Sequence, residues 1–172
     1  MLGNCDIGET VTLARLIGTV LGVGNIRPAP GTWGSLVALP AGWLVHVLGG
    51  FPLLCIGVVA AFLKGWWATA KMTAGSDDHD PSEIVIDELV GQWIALLPLS
   101  YAAWSMDISV LALWPGWIAA FVLFRLFDIW KPWLVGWADR RGDPLGVMLD
   151  DVIAGAFAAV GVLVLAAVYH GL

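Results

Sequence analysis

Two pairs of adjacent carboxylates stand among aliphatic side chains: Asp87-Glu88 in Ile84-Val85-Ile86-Asp87-Glu88-Leu89-Val90-Gly91, and Asp150-Asp151 in Val147-Met148-Leu149-Asp150-Asp151-Val152-Ile153-Ala154-Gly155. A fifth acid, Asp128, closes the apolar run Phe124-Arg125-Leu126-Phe127-Asp128-Ile129-Trp130-Lys131-Pro132. An ionised side chain within a membrane helix costs about 2.5–3.5 kcal/mol on insertion scales, so acids in such company need a partner or a task. Clustered carboxylates repel one another, and a divalent cation removes that repulsion. Oxygen ligands with no cysteine or histidine among them suit Mg²⁺ or Mn²⁺ better than zinc. Such an ion polarises a phosphoryl oxygen, orients an attacking water and stabilises the leaving oxygen. Asp87, Glu88, Asp128, Asp150 and Asp151 are therefore the candidate metal ligands. The general base is sought in the same set, with Asp87, Glu88, Asp128 and Asp151 the catalytic candidates. A second metal ion and a covalent aspartyl-phosphate route both stay open at this point.

Arg125 and Lys131 flank Asp128 at helical spacing. Each either pairs locally with that acid or binds a phosphate dianion, a role that suits both cations. The string Pro30-Gly31-Thr32-Trp33-Gly34-Ser35 precedes another apolar run. Alone it reads as a helix cap. With free amides at a helix start, the Thr32 and Ser35 hydroxyls, and Gly34 allowing close approach of the backbone, it is also a candidate phosphate site. It lacks the Gly-Lys-Ser/Thr ending of a Walker loop. Also absent are a Cys-x5-Arg loop and an Asp-x-Asp-x-Thr string. The three histidines, His46, His79 and His170, are scattered, and the acidic string Ser76-Asp77-Asp78-His79-Asp80-Pro81 reads as a solvated connector.

The elements that must position these residues are transmembrane helices. Of 172 residues 59% are apolar and 13% charged, and mean hydropathy is +0.85, more than one soluble core requires. Crossing roughly 30 Å of hydrocarbon takes about 20 residues. Apolar runs at 32–48, 52–70, 85–104, 109–127 and 147–168 supply candidate spans. The expected fold is an all-α polytopic membrane bundle of four to five transmembrane helices forming one domain over 1–172. Residues 1–10 are expected to be loose, and 11–24 to form an interfacial or re-entrant helix. Alternating the loops places all eight Lys and Arg residues on one side, which the positive-inside rule makes cytoplasmic. The three acidic elements then reach one membrane depth. Eleven tryptophans fit anchoring at the boundary, and Trp130, Trp133 and Trp137 suggest an amphipathic surface helix.

Several classes are disfavoured. A net charge of −6 with dispersed cations offers no surface for nucleic acid. Cys5 and Cys55 have no metal spacing and receive no chemistry. No removable signal peptide is expected, because no basic segment leads into an apolar stretch with a cleavage site. The alternative function is a cation transporter or channel. It would place its charges near mid-bilayer on broken helices, whereas here they lie at helix ends.

Pro30-Gly31-Thr32-x-Gly34-Ser35, Asp87-Glu88-x-x-Gly91, Phe124-Arg125-x-x-Asp128-x-x-Lys131-Pro132 and Asp150-Asp151-x-x-Ala154-Gly155, in this order, resemble the motifs of the phosphatidylglycerophosphatase A family. The resemblance runs from about residue 20 to 168. It implies Mg²⁺-dependent hydrolysis of phosphatidylglycerophosphate to phosphatidylglycerol and phosphate in the bacterial cytoplasmic membrane. The partners would be a phospholipid substrate and the membrane.

Overall fold

The computed structural model describes residues 3–76 and 78–171; Asp77 and the Cys5 side chain lie outside the described residues. Among the described residues the fold is all-α, with six α-helices in the order α1 Gly3–Gly18, α2 Pro30–Met72, α3 Ile86–Met106, α4 Trp114–Trp130, α5 Leu134–Asp139 and α6 Pro144–His170. Three stretches among the described residues are long and apolar enough to cross a membrane: Pro30–Met72, Val110–Trp130 and Pro144–His170. Leu48, Ile56, Val122 and Leu163 are exposed on their outer faces.

The 43 residues of α2 are two arms joined at Gly49-Gly50, where Gly50 takes φ 65, ψ −161, a conformation essentially restricted to glycine. The chain doubles back there. A side chain on Gly57 would lie 3.7 Å from Val45, whereas twelve residues along a straight helix span about 18 Å. The arms correspond to the separate runs expected at 32–48 and 52–70.

α3 is the central helix. Its 21 residues bury Leu89, Val90, Trp93, Leu96, Leu99 and Ala103 against the other helices, together with the polar Gln92 and Ser100. Trp93 departs from the boundary role expected of tryptophan. It is only 8% exposed, and its Nε1 donates to the Ala38 carbonyl at 2.9 Å. Both arms of α2 approach its ring at glycines, Gly42 and Gly57. His46 Nδ1 and Ser100 Oγ, 2.7 Å apart, tie the first arm to α3. Cys55 in the second arm is a free, partly buried thiol.

Other boundaries also differ from expectation. α1 starts at Gly3, within the segment read as loose, and stops at Gly18 instead of near residue 24. Beyond it Val20 and Leu21 have positive φ, and the Val85 N–H donates to the Gly18 carbonyl at 2.9 Å, docking α1 on the start of α3. The surface helix inferred from Trp130, Trp133 and Trp137 is not continuous. α4 ends at Trp130, Lys131 and Trp133 have positive φ, and only Trp137 lies within α5. Pro132 favours this break, because it disfavours a helical conformation at Lys131.

The two ends of the bundle differ in chemistry. At one end Arg15 pairs with Glu83 at 3.4 Å and Arg27 donates to Ser82 at 2.9 Å. At the other, Phe51 packs on Tyr101 and Trp104, with ring centroids 5.3 and 6.3 Å apart.

Candidate active site

Asp87 and Glu88 occupy the first turn of α3, where unpaired amides favour negative charge. Asp150 and Asp151 do not open their helix as expected. α6 begins at Pro144, capped by Asp143, whose Oδ1 accepts from the Gly146 N–H at 2.6 Å. The pair therefore sits nearly two turns inside. Both pairs share one local geometry: Oδ1 of the first Asp accepts the backbone N–H of the second residue at 3.0 Å.

A glycine one turn beyond each pair brings the pairs together. A Cβ on Gly91 would stand 2.6 Å from the Asp151 carbonyl oxygen, and one on Gly155 would collide with the Gly91 carbonyl. α3 and α6 thus touch backbone to backbone just beneath the acids, as small residues permit at membrane-helix crossings.

Above this crossing lies a pocket of about 370 Å³. Asp87, Glu88, Arg125, Asp128, Lys131, Asp150 and Asp151 all line it, so the five acids and two cations picked from sequence converge. They are not equivalent. Carboxylate oxygens of Asp87, Glu88 and Asp151 lie within 4.8 Å of one another, and Glu88 Oε2 is buried with no hydrogen-bond partner among the described residues. Three converging carboxylates, one of which also carries an unsatisfied oxygen, fit a divalent cation. Asp128 instead pairs with Arg125 Nη1 at 2.5 Å. Asp150 pairs with Lys131 Nζ at 3.0 Å, and the same ammonium also binds Asp139. The positive φ of Lys131 takes it off the helical path that would have set it beside Asp128. Burial opposes its charge, but the hydrogen bonds it donates to Asp139 and Asp150 and their negative charges hold its pKa above the usual lysine range.

The loop before α2 contributes differently from its sequence reading. The cap residue is Ala29, with φ 57, ψ 64 and no side-chain hydrogen bond. Ala29, Pro30 and Gly31 form its part of the pocket wall. Gly31 lies against Glu88 and Arg125, where a side chain would collide. Ser35, on the same helix face as Gly31, donates to the Gly31 carbonyl at 2.9 Å and accepts from Arg125 at 3.5 Å. Gly34 packs on Val85, whose Cβ would lie 2.8 Å from an added side chain. Among the described residues, the wall does not include Thr32.

The acidic connector is not simply solvated. Asp80 and Ser82 line the same pocket, because Arg15 and Arg27 draw residues 82–83 onto the charged end. Asp80 keeps an exposed side, yet burial of its carboxyl raises its pKa, Lys131 opposes this, and Asp139, Asp78 and Asp128 add to the rise. Nothing in the sequence separates Asp80 from Asp78; the arginine contacts at Ser82 and Glu83 decide it. His79 remains exposed.

The profile of the phosphatidylglycerophosphatase A family matches residues 16–166. The chain belongs to the phosphatidylglycerophosphatase A family. A phosphatidylglycerophosphatase A of Haemophilus influenzae is 37% identical over 148 residues, covering 85% of this chain and 84% of the relative. One of Escherichia coli K12 is 35% identical over 147 residues, 84% of this chain and 78% of the relative. A Bacteroides thetaiotaomicron protein with the provisional name phosphatidylinositol-3-phosphatase is 38% identical over 150 residues, 84% of this chain and 88% of its own. No solved structure matches the chain. Membership in the phosphatidylglycerophosphatase A family makes the chain a membrane-associated lipid phosphatase, with a lipid phosphate as substrate.

Proposed function

We propose that this protein hydrolyses the terminal phosphomonoester of phosphatidylglycerophosphate, giving phosphatidylglycerol and inorganic phosphate, at the pocket formed where α3, α4 and α6 meet. The observation that carries the reading is the convergence of Asp87, Glu88 and Asp151 within 4.8 Å, in a chain of the phosphatidylglycerophosphatase A family. These three would hold Mg²⁺. When bound, the ion polarises the phosphoryl group and makes water more acidic.

The remaining chemistry falls to the chain's own groups. Arg125, steadied by Ser35, and Lys131 bind phosphate oxygens as charge-assisted donors. Asp128 and Asp150, each held by one of these cations, are the carboxylates left to accept the proton of the attacking water. The water oxygen attacks phosphorus, the bond from phosphorus to the glycerol oxygen breaks, and that oxygen leaves with the electron pair and takes up a proton. A phosphate at head-group depth needs neither a pore nor a deep channel.

In this reading the two arms of α2, α3, α4 and α6 are five spans, with α1 at the interface and the charged end in the cytoplasm by the positive-inside rule. The chain acts as a single domain. Phosphate release in detergent, from phosphatidylglycerophosphate and from phosphatidylinositol 3-phosphate, with and without Mg²⁺, tests it. Mg²⁺-dependent release with preference for the former is expected. No release from either lipid overturns the reading, and preference for the inositol lipid overturns the substrate.

A further inference from the structure

A second, apolar pocket of about 460 Å³ adjoins the acidic one, lined by Phe127, Trp130, Lys131, Pro132, Trp133 and Phe157. Among the described residues, Lys131 alone lines both. A long aliphatic stem ending in an ammonium suits a boundary between apolar and anionic surroundings. Phe127 of α4 and Phe157 of α6 meet edge to face, centroids 5.7 Å apart. Trp130 and Trp133 remain 69% and 86% exposed.

The backbone is strained where the pockets join. Lys131 has φ 49, ψ 54 and Trp133 φ 42, ψ −100, conformations that bulky residues adopt only when their surroundings impose them. The volume lies within the roughly 300–1,000 Å³ usual for ligand pockets. An aromatic pocket that shares Lys131 with the acidic pocket fits a molecule with one apolar and one anionic end.

We propose that this pocket holds the head-group-proximal part of an acyl chain of the substrate phospholipid, with Lys131 at the boundary between tail and phosphate. The proposal rests on the lipid-phosphatase reading above. It gives the exposed Trp130 and Trp133 a task beyond anchoring: they close over a chain entering sideways from the bilayer.

The test uses the full chain in mixed micelles with two substrates, diacyl phosphatidylglycerophosphate and the same head group without acyl chains. Variants are Phe157→Ala and Trp130→Ala, which empty the pocket, and Phe157→Trp, which fills it. Mn²⁺ affinity, read by electron paramagnetic resonance, reports whether the carboxylate site is intact. The expected result is about a tenfold rise in KM for the diacyl lipid in each variant, the scale of a lost hydrophobic contact. Mn²⁺ affinity should stay within about twofold of the parent, as should any turnover of the chainless substrate. An unchanged KM for the diacyl lipid overturns the proposal, as does an equal loss on both substrates. A loss seen in vesicles but absent in mixed micelles also overturns it and assigns the tryptophans to anchoring. If the parent cleaves both substrates equally well, the pocket proposal fails and the phosphatase reading stands. If the parent cleaves neither, it is the phosphatase reading that fails.

Discussion

Asp87, Glu88 and Asp151 share a pocket with Asp128 and Asp150, yet the two groups are neutralised by different means. Asp128 and Asp150 have Arg125 and Lys131 at 2.5 and 3.0 Å. The other three converge on one another, with Glu88 Oε2 unsatisfied. Buried like charges without a counter-charge are unstable, so the first group is complete as it stands and the second calls for a cation. Adjacent acids therefore have separate roles: Asp150 is held by a lysine, and Asp151, the next residue, faces the α3 pair.

The largest effect that tests this division is expected from Asp87→Asn and Asp151→Asn. Removing a ligand forfeits several kcal/mol of transition-state stabilisation, about 10³-fold in phosphate release at 1.36 kcal/mol per tenfold. Mn²⁺ affinity, followed by electron paramagnetic resonance, should fall in parallel. Full activity in both variants would remove these residues from the mechanism.

A smaller loss, about 10²-fold as for one proton-accepting group removed, is expected for Asp128→Asn and Asp150→Asn, with Mn²⁺ affinity retained. If either variant loses Mn²⁺ binding as fully as Asp87→Asn does, the two groups are one and the division is broken.

The smallest effect probes what holds the groups in register. Gly155→Ala places a methyl against the Gly91 carbonyl, and overpacking of this kind costs about 1–3 kcal/mol. Lower thermal stability in detergent should accompany reduced activity, since α3 and α6 must separate to admit it. An unchanged melting temperature would show that the acids do not depend on this crossing.

Much of the site was legible in the sequence because charge is rare in an apolar chain. Asp87, Glu88, Asp128, Asp150, Asp151, Arg125 and Lys131 stand out by contrast with their neighbours, and alternating loops place them at one end without knowledge of packing. Asp80 was not legible, because within a polar connector one acid resembles the next and only the anchoring contacts of Arg15 and Arg27 draw the loop over the pocket. Trp93 was misread for the converse reason. Tryptophan favours the boundary on average, but Gly42 and Gly57 provide an interior space for this one.

By itself the sequence determined the all-α class, the apolar runs and the set of charged residues, since hydrophobic length and the cost of buried charge act locally along the chain. The tertiary structure decided which acids share a cation and which face one another. That depends on how closely α3 and α6 approach at Gly91 and Gly155 and on the turn at Lys131. Distances between helices are set by packing across the bundle, and neighbouring letters in the chain do not encode them.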